Sequence, residues 1–147
     1  MDKREPKGAL ILVGINMNKV REIQKDDVFA VLRHVYDPDY WVLNKSIIDK
    51  GLVHEDNVKI TSDRIHVEYN LEASFCVFAS EVGAMIKYAL EKKLNRHTVV
   101  RLKSDHPQSE AVNRILQNDK ERDKLLKKLD YCGVLVQCVR TRRRKPS

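Results

Sequence analysis

The residue best suited to chemistry in this chain is Cys76. Phe75, Phe78, Ala79, Val82, Ile86, Ala89 and Leu90 recur at intervals of three and four residues around it. That period predicts a helix over 74–94, with Cys76 in its first turn. A thiol in that position meets the positive end of the helix dipole, which favours the thiolate and lowers the pKa. Ser80 and Gly83, four and seven residues on, share its face and form a small-residue strip along which a partner, a metal centre or another chain approaches the sulfur. The same residues suit plain packing, because cysteine is among the most buried residue types and small side chains let a helix close on a sheet. Taken alone, they favour that plainer role. Cys132 and Cys138 are six residues apart and share no helical face, so they read as core or surface thiols.

Other constellations are sparse. His34, His54, His66, His97 and His106 show no metal-ligand spacing such as HxxxH, and each reads as structural. No P-loop, GxGxxG or GxSxG occurs, so phosphate cradling and serine hydrolysis lack local support. Asp37 and Asp39 flank Pro38, a pattern that suits acid–base work or a hard metal, but also a helix stop followed by a cap; the second reading is favoured. Three cysteines without a CxxC argue against a disulfide scaffold and a zinc knuckle. A reducing compartment, cytosolic or nuclear, is the expectation.

The net charge of +7 depends on location for its meaning. Residues 1–90 carry 12 basic and 14 acidic side chains, whereas residues 91–147 carry 16 and 7. Arg140, Arg142, Arg143, Arg144 and Lys145 supply five of the excess. A basic end on a near-neutral body attracts nucleic acid weakly and without sequence choice. A basic-tailed nucleic-acid-binding protein is therefore the alternative function, although no stacking pair of aromatics accompanies the tail. The longest apolar run, residues 9–13, falls well short of the roughly 20 residues that cross a bilayer, and no cleavage pattern follows it. No membrane association is expected.

These side chains need a scaffold, and the patterning supplies one domain's worth in 147 residues. Residues 9–15 read as a strand. Asp26 or Asp27 caps a helix running from Asp27 to about Tyr36, stopped by Asp37-Pro38. Residues 41–53 fit a helical turn and then an extended segment, with Gly51 at a turn. Val58 and Ile60, then Ile65, Val67 and Tyr69, alternate with polar residues about Thr61-Ser62-Asp63-Arg64, as a hairpin does. Residues 98–103 form a strand. Asp105 with Gln108, and Asn118 with Glu121, are capping patterns for one or two helices carrying Val112, Ile115, Leu116, Leu125, Leu126 and Leu129. The β-branched run after Gly133 predicts a last strand by propensity.

In that order, Asp27-Val28-Phe29, Leu32-Arg33, Val35-Tyr36-Asp37-Pro38-Asp39 and Lys50-Gly51-Leu52-Val53 resemble the opening of the DUF-fifty-nine domain, with its Asp-Pro-Glu and Leu-Gly-Leu-Val signatures. Cys76 falls at that domain's recurrent cysteine. Ser104-Asp105-His106, Ser109-Glu110-Ala111-Val112-Asn113, Leu116, Asp119-Lys120-Glu121-Arg122 and Gln137-Cys138 are similar to its eukaryotic branch, the MMS-nineteen-interacting family. Members of that branch form the small subunit of the cytosolic iron-sulfur assembly (CIA) targeting complex, and SufT and PaaD are bacterial relatives. Three places depart from the pattern: Asp39 stands for Glu, Lys50 for the first Leu, and Glu72-Ala73-Ser74-Phe75 for a Thr/Pro-rich approach to the cysteine.

The resemblance spans about Asp26 to Cys138 and implies an α+β fold, a small mixed sheet with a hairpin packed by helices. It makes Tyr131 to Val139 a C-terminal helix, against propensity. It divides the chain into an N-terminal extension (1–25), an iron-sulfur assembly domain (26–139) and a basic tail (140–147). The function it implies is that of a non-enzymatic adaptor linking cluster delivery to apo-protein clients, cytoplasmic and extending to the nucleus. Cys76 becomes a functional thiol, a persulfide-type group or transient metal ligand. The motif positions are Asp37, Pro38, Asp39, His106, Glu110, Asn113, Asp119, Lys120, Glu121 and Arg122. A lone thiolate cannot close a four-ligand cluster site, so no stably bound cofactor is expected, only transient iron or an iron-sulfur cluster. Implied partners are a WD-repeat CIA subunit, an MMS-nineteen-type scaffold, apo iron-sulfur clients and a domain-swapped second copy. A thiol-dependent redox enzyme is a third reading, though no resolving cysteine lies near Cys76 in sequence.

Overall fold

The computed structural model describes residues 22–39 and 43–140; the strand expected over 9–15, the start of the 41–53 segment and residues 141–147 lie outside them. Helix α1 spans Lys25–Leu32 and buries Val28 and Leu32, one turn apart. Asp27 sits inside its first turn rather than at the cap, and its carboxylate accepts the Gln24 N–H at 2.8 Å. The helix stops four residues short of Tyr36 because the next backbone groups have distant partners. Val35 bridges Val139 and Tyr36 bridges Ser46, and the Tyr36 N–H donates to the Cys138 carbonyl at 2.7 Å.

Among the described residues the sheet has three strands, β1 (Val58–Ile60), β2 (Arg64–Tyr69) and β3 (His97–Leu102), in that spatial order. β1 and β2 form the expected antiparallel hairpin, with Val58 opposite Val67 and Ile60 opposite Ile65. β2 and β3 run parallel, Arg64 opposite His97 through Tyr69 opposite Leu102. A parallel pair needs a long crossover, and α2 (Ala79–Leu94) provides it. Period-two alternation puts Ile65, Val67, Tyr69, Thr98, Val100 and Leu102 on the buried face. Against them α2 buries Val82, Gly83, Met85, Ile86, Ala89 and Leu90.

Helix α3 (Ser109–Leu116) follows, then α4 (Asp119–Tyr131), so the 109–131 stretch is two helices. They divide at Asn118, whose side chain accepts the Glu121 N–H at 3.1 Å, as its capping pattern predicts. The last element, α5 (Val134–Cys138), is a helix. Propensity alone gives the wrong answer for this run. Gly133, at φ 77°, reverses the chain, and Leu135 and Cys138 then bury from one helical face. The β3 edge gives an extended run little to pair with, because side chains already bond it.

Five outward backbone groups of β3 are bonded by side chains. Glu91 accepts the Thr98 N–H at 3.0 Å and the Lys87 ammonium donates to the Thr98 carbonyl. Gln117 donates to the Val100 carbonyl at 3.3 Å. Asn113 takes both groups of Leu102, accepting its N–H at 2.8 Å and donating to its carbonyl at 3.0 Å. Such an edge would otherwise template pairing with another chain. The small mixed sheet, its hairpin and the enclosing helices make the fold α+β, with α5 as its C-terminal helix.

Candidate functional site

Cys76 lies in the connection between β2 and α2, and not in a helix as its apolar period predicts: α2 begins only at Ala79. The reason is a tertiary contact. The Gln108 carboxamide, at the N-cap of α3, grips the cysteine's own backbone, accepting its N–H at 2.8 Å and donating to its carbonyl at 3.1 Å. A residue whose N–H and C=O are both held by a side-chain amide, its carbonyl also taking a turn bond from the Ala79 N–H at 3.3 Å, satisfies its polar groups without a helix. Gln108 is therefore no partner of Asp105 in a cap; its side chain reaches across to the thiol loop.

His106 secures the same loop from below. It is 6% exposed, with Nε2 bonded to the Ala73 carbonyl at 2.8 Å, while Nδ1 accepts the Gln108 N–H at 3.0 Å. Since a carbonyl only accepts and an N–H only donates, the ring is the neutral Nε2–H tautomer. That tautomer links the clamp residue to the loop it clamps.

A third anchor comes from Lys50. Its ammonium lies 3.1 Å from a carboxylate oxygen of Asp37 and 3.1 Å from one of Glu72, with the Lys50 and Asp37 side chains only 6% and 5% exposed. The other Asp37 oxygen accepts the Asp39 N–H at 2.8 Å across Pro38, an Asx turn. Burial opposes the Lys50 charge, but the two carboxylates outweigh it and raise its pKa. Two departures from the family pattern, Lys50 and Glu72, are thus paired with each other.

Asp37, Asp39, Lys50, Glu72, Phe75, Cys76 and Val77 line one open cleft of about 290 Å³. Burial pushes the Cys76 thiol upward, and Asp37 and Asp39 add to this; the Phe78 backbone and Lys50 pull the other way without prevailing. The thiolate expected from a helix-terminal position is therefore not favoured, because burial penalises the charged form, the nearest charges are mostly negative and the helix starts beyond the residue. Gly83 is not part of an approach path either. A Cβ there would come within 2.7 Å of Leu116 and of the Tyr69 hydroxyl, so the glycine lets α2 close on β2 and α3 in the core.

Of the motif positions, the structure gathers Asp37, Pro38 and Asp39 beside Cys76, with His106 behind the loop. The others lie elsewhere. Asn113 closes the β3 edge. Arg122 pairs with Asp119 at 2.7 Å and caps α3 by donating to the Leu116 carbonyl at 2.8 Å. The Glu121 side chain and Lys120 are exposed, and Glu110 faces a groove with Arg101 and Arg114. Gln108, Lys50 and Glu72 are the site residues that pattern reading misses as such: a glutamine two places after a histidine carries no local sign of a partner 32 residues away. Cys132 is exposed; Cys138 is buried, its pKa pushed up to about 11 by burial and Asp37 against the pull of Arg140. Arg140, where the basic tail is expected to begin, stacks over the Tyr36 ring at 3.9 Å and donates to Asn44 at 2.8 Å.

Among the described residues no three His, Cys, Asp or Glu side chains are grouped to hold a metal ion, and no helix is long and apolar enough to cross a membrane. No curated protein matches the chain. Residues 25–103, more than half of the chain and containing Asp37, Asp39, Lys50, Glu72 and Cys76, match the model of a family described as iron-sulfur cluster assembly protein. The chain belongs to the iron-sulfur cluster assembly protein family.

Proposed function

We propose that this protein is a non-enzymatic adaptor of cytosolic iron-sulfur protein maturation, with Cys76 as the group that meets the cargo. The observation that carries the reading is the placement of Cys76. It lies within the family-matched segment, outside any helix, on a loop anchored at Glu72, Ala73 and its own backbone. A loop so fixed presents its sulfur at an open cleft in a defined position. Iron or an iron-sulfur cluster is handled as cargo. Cys76 supplies one thiolate, its proton leaving on ligation, and the remaining ligands come from a donor, a client or a second subunit. Burial and the nearby carboxylates raise the Cys76 pKa, so ligation must displace a proton, which suits transient transfer better than storage.

The proposed partners are a WD-repeat CIA subunit, an MMS-nineteen-type scaffold and apo iron-sulfur clients, in the cytoplasm and nucleus. The test is affinity purification of wild type and Cys76→Ala from anaerobic cell extract, with mass spectrometry of partners and iron analysis of the eluate. The reading expects a WD-repeat subunit, a helical-repeat scaffold and iron-sulfur clients, with iron or clients reduced in the variant. Recovery of nucleic acid in place of these partners would overturn it.

A further inference from the structure

Phe75 and Val77 flank the thiol and are 68% and 67% exposed, which places them among the most exposed large apolar side chains of the described residues. Both also line the cleft, so the apolar pair and the sulfur share one mouth. A surface that covers residues 75 and 77 therefore lies across the entrance to Cys76. The described residues lining the cleft carry three carboxylates, Asp37, Asp39 and Glu72, against the single ammonium of Lys50. Apolar rim and acidic floor together select a complementary ligand.

We propose that the Phe75–Val77 rim and the acidic cleft form a docking site for a partner polypeptide that presents a basic side chain next to a large apolar one. The basic group answers the excess of carboxylates and the apolar group covers the exposed rim. Two other occupants fit less well. Residues 141–147, Thr-Arg-Arg-Arg-Lys-Pro-Ser, offer charge but no large apolar side chain. A second copy docked through the same face would set carboxylates against carboxylates, which repel. The inference deepens the adaptor reading by naming the chemistry through which a partner reaches Cys76, and it rests on that reading.

An array of immobilised hexapeptides built from Lys, Arg, Glu, Leu, Phe and Gly tests it, probed with the full reduced chain. The expected winners pair Lys or Arg with Leu or Phe, and bind about tenfold less well to Phe75→Ser/Val77→Ser and to Asp39→Asn/Glu72→Gln. Arg101→Ser, on the sheet face turned away from α2, is expected to bind as wild type does. The best peptide is then expected to slow amide exchange at residues 74–78. Circular dichroism identifies any variant that misfolds, and the exchange footprint on wild type needs no variant at all. Selection of acidic or uncharged peptides, no selection, or a footprint away from the loop overturns the proposal. So does binding that appears only when the chain is cut after Arg140 or begins at Glu22, since the removed segment, basic in the first case and both basic and apolar in the second, would then be the occupant. No iron or client enters the assay, so its failure leaves the adaptor reading to its own test.

Discussion

Asn113 is expected to act as a structural lock on the sheet, and its removal should be costly. The side chain is 8% exposed and holds Leu102, itself 1% exposed, through both backbone groups, at 2.8 and 3.0 Å. Which end of the amide is which follows from the partner, since one Leu102 group only donates and the other only accepts. Asn113→Ala leaves a buried N–H and a buried C=O unpaired, each costing about 1–3 kcal/mol, less whatever water recovers. A loss of about 2–4 kcal/mol follows, a large part of the roughly 5–15 kcal/mol that stabilises a domain. For a chain of this size that is roughly 5–15 °C in Tm. Gln117→Ala, which breaks one part-buried bond of 3.3 Å, is the internal control and should cost about 0.5–1 kcal/mol. Urea unfolding followed by circular dichroism measures both, and size-exclusion chromatography across a concentration series reports whether the opened β3 edge recruits another chain. If Asn113→Ala costs no more than Gln117→Ala, the edge-closing argument is refuted.

Two further outcomes follow from the thiol loop. Gln108→Ala removes both bonds to the Cys76 backbone, so amide exchange at Cys76 should accelerate by at least about tenfold and iodoacetamide should modify the residue faster; unchanged exchange would show the clamp to be idle. Alkylation of Cys76 should rise with pH through a midpoint above that of a free thiol, because the folded site favours the protonated form. Asp39→Asn should move that midpoint down by removing one of the charges that raise it. A wild-type midpoint below the free-thiol value would contradict the electrostatics of the cleft.

Much of the scaffold is legible in the residues themselves. The hairpin follows from alternation about Thr61-Ser62-Asp63-Arg64, α2 from apolar spacing between Ala79 and Leu94, and the break between α3 and α4 from the Asn118 cap. These signals are local: each element's period or cap is written within its own segment. The order of the Asp37-Pro38-Asp39 and Lys50-Gly51-Leu52-Val53 motifs and Cys76 likewise marks the family without coordinates.

Tertiary structure decided what local pattern cannot encode. The start of α2 lies beyond Cys76, whose backbone is held by Gln108, 32 residues away, and whose carbonyl closes a turn with the Ala79 N–H. The end of α1 retreated to Leu32 because Val35 and Tyr36 are claimed by Val139, Ser46 and Cys138. The β-branched run at 134–138 became a helix with the β3 edge already satisfied by side chains. The sign of the thiol's shift followed the same rule. Sequence places Cys76 near a helix start, but only the folded chain sets two aspartates, a buried lysine and partial burial around it. Electrostatics and hydrogen bonding act through space, and the residues that govern this site come from segments far apart in the chain.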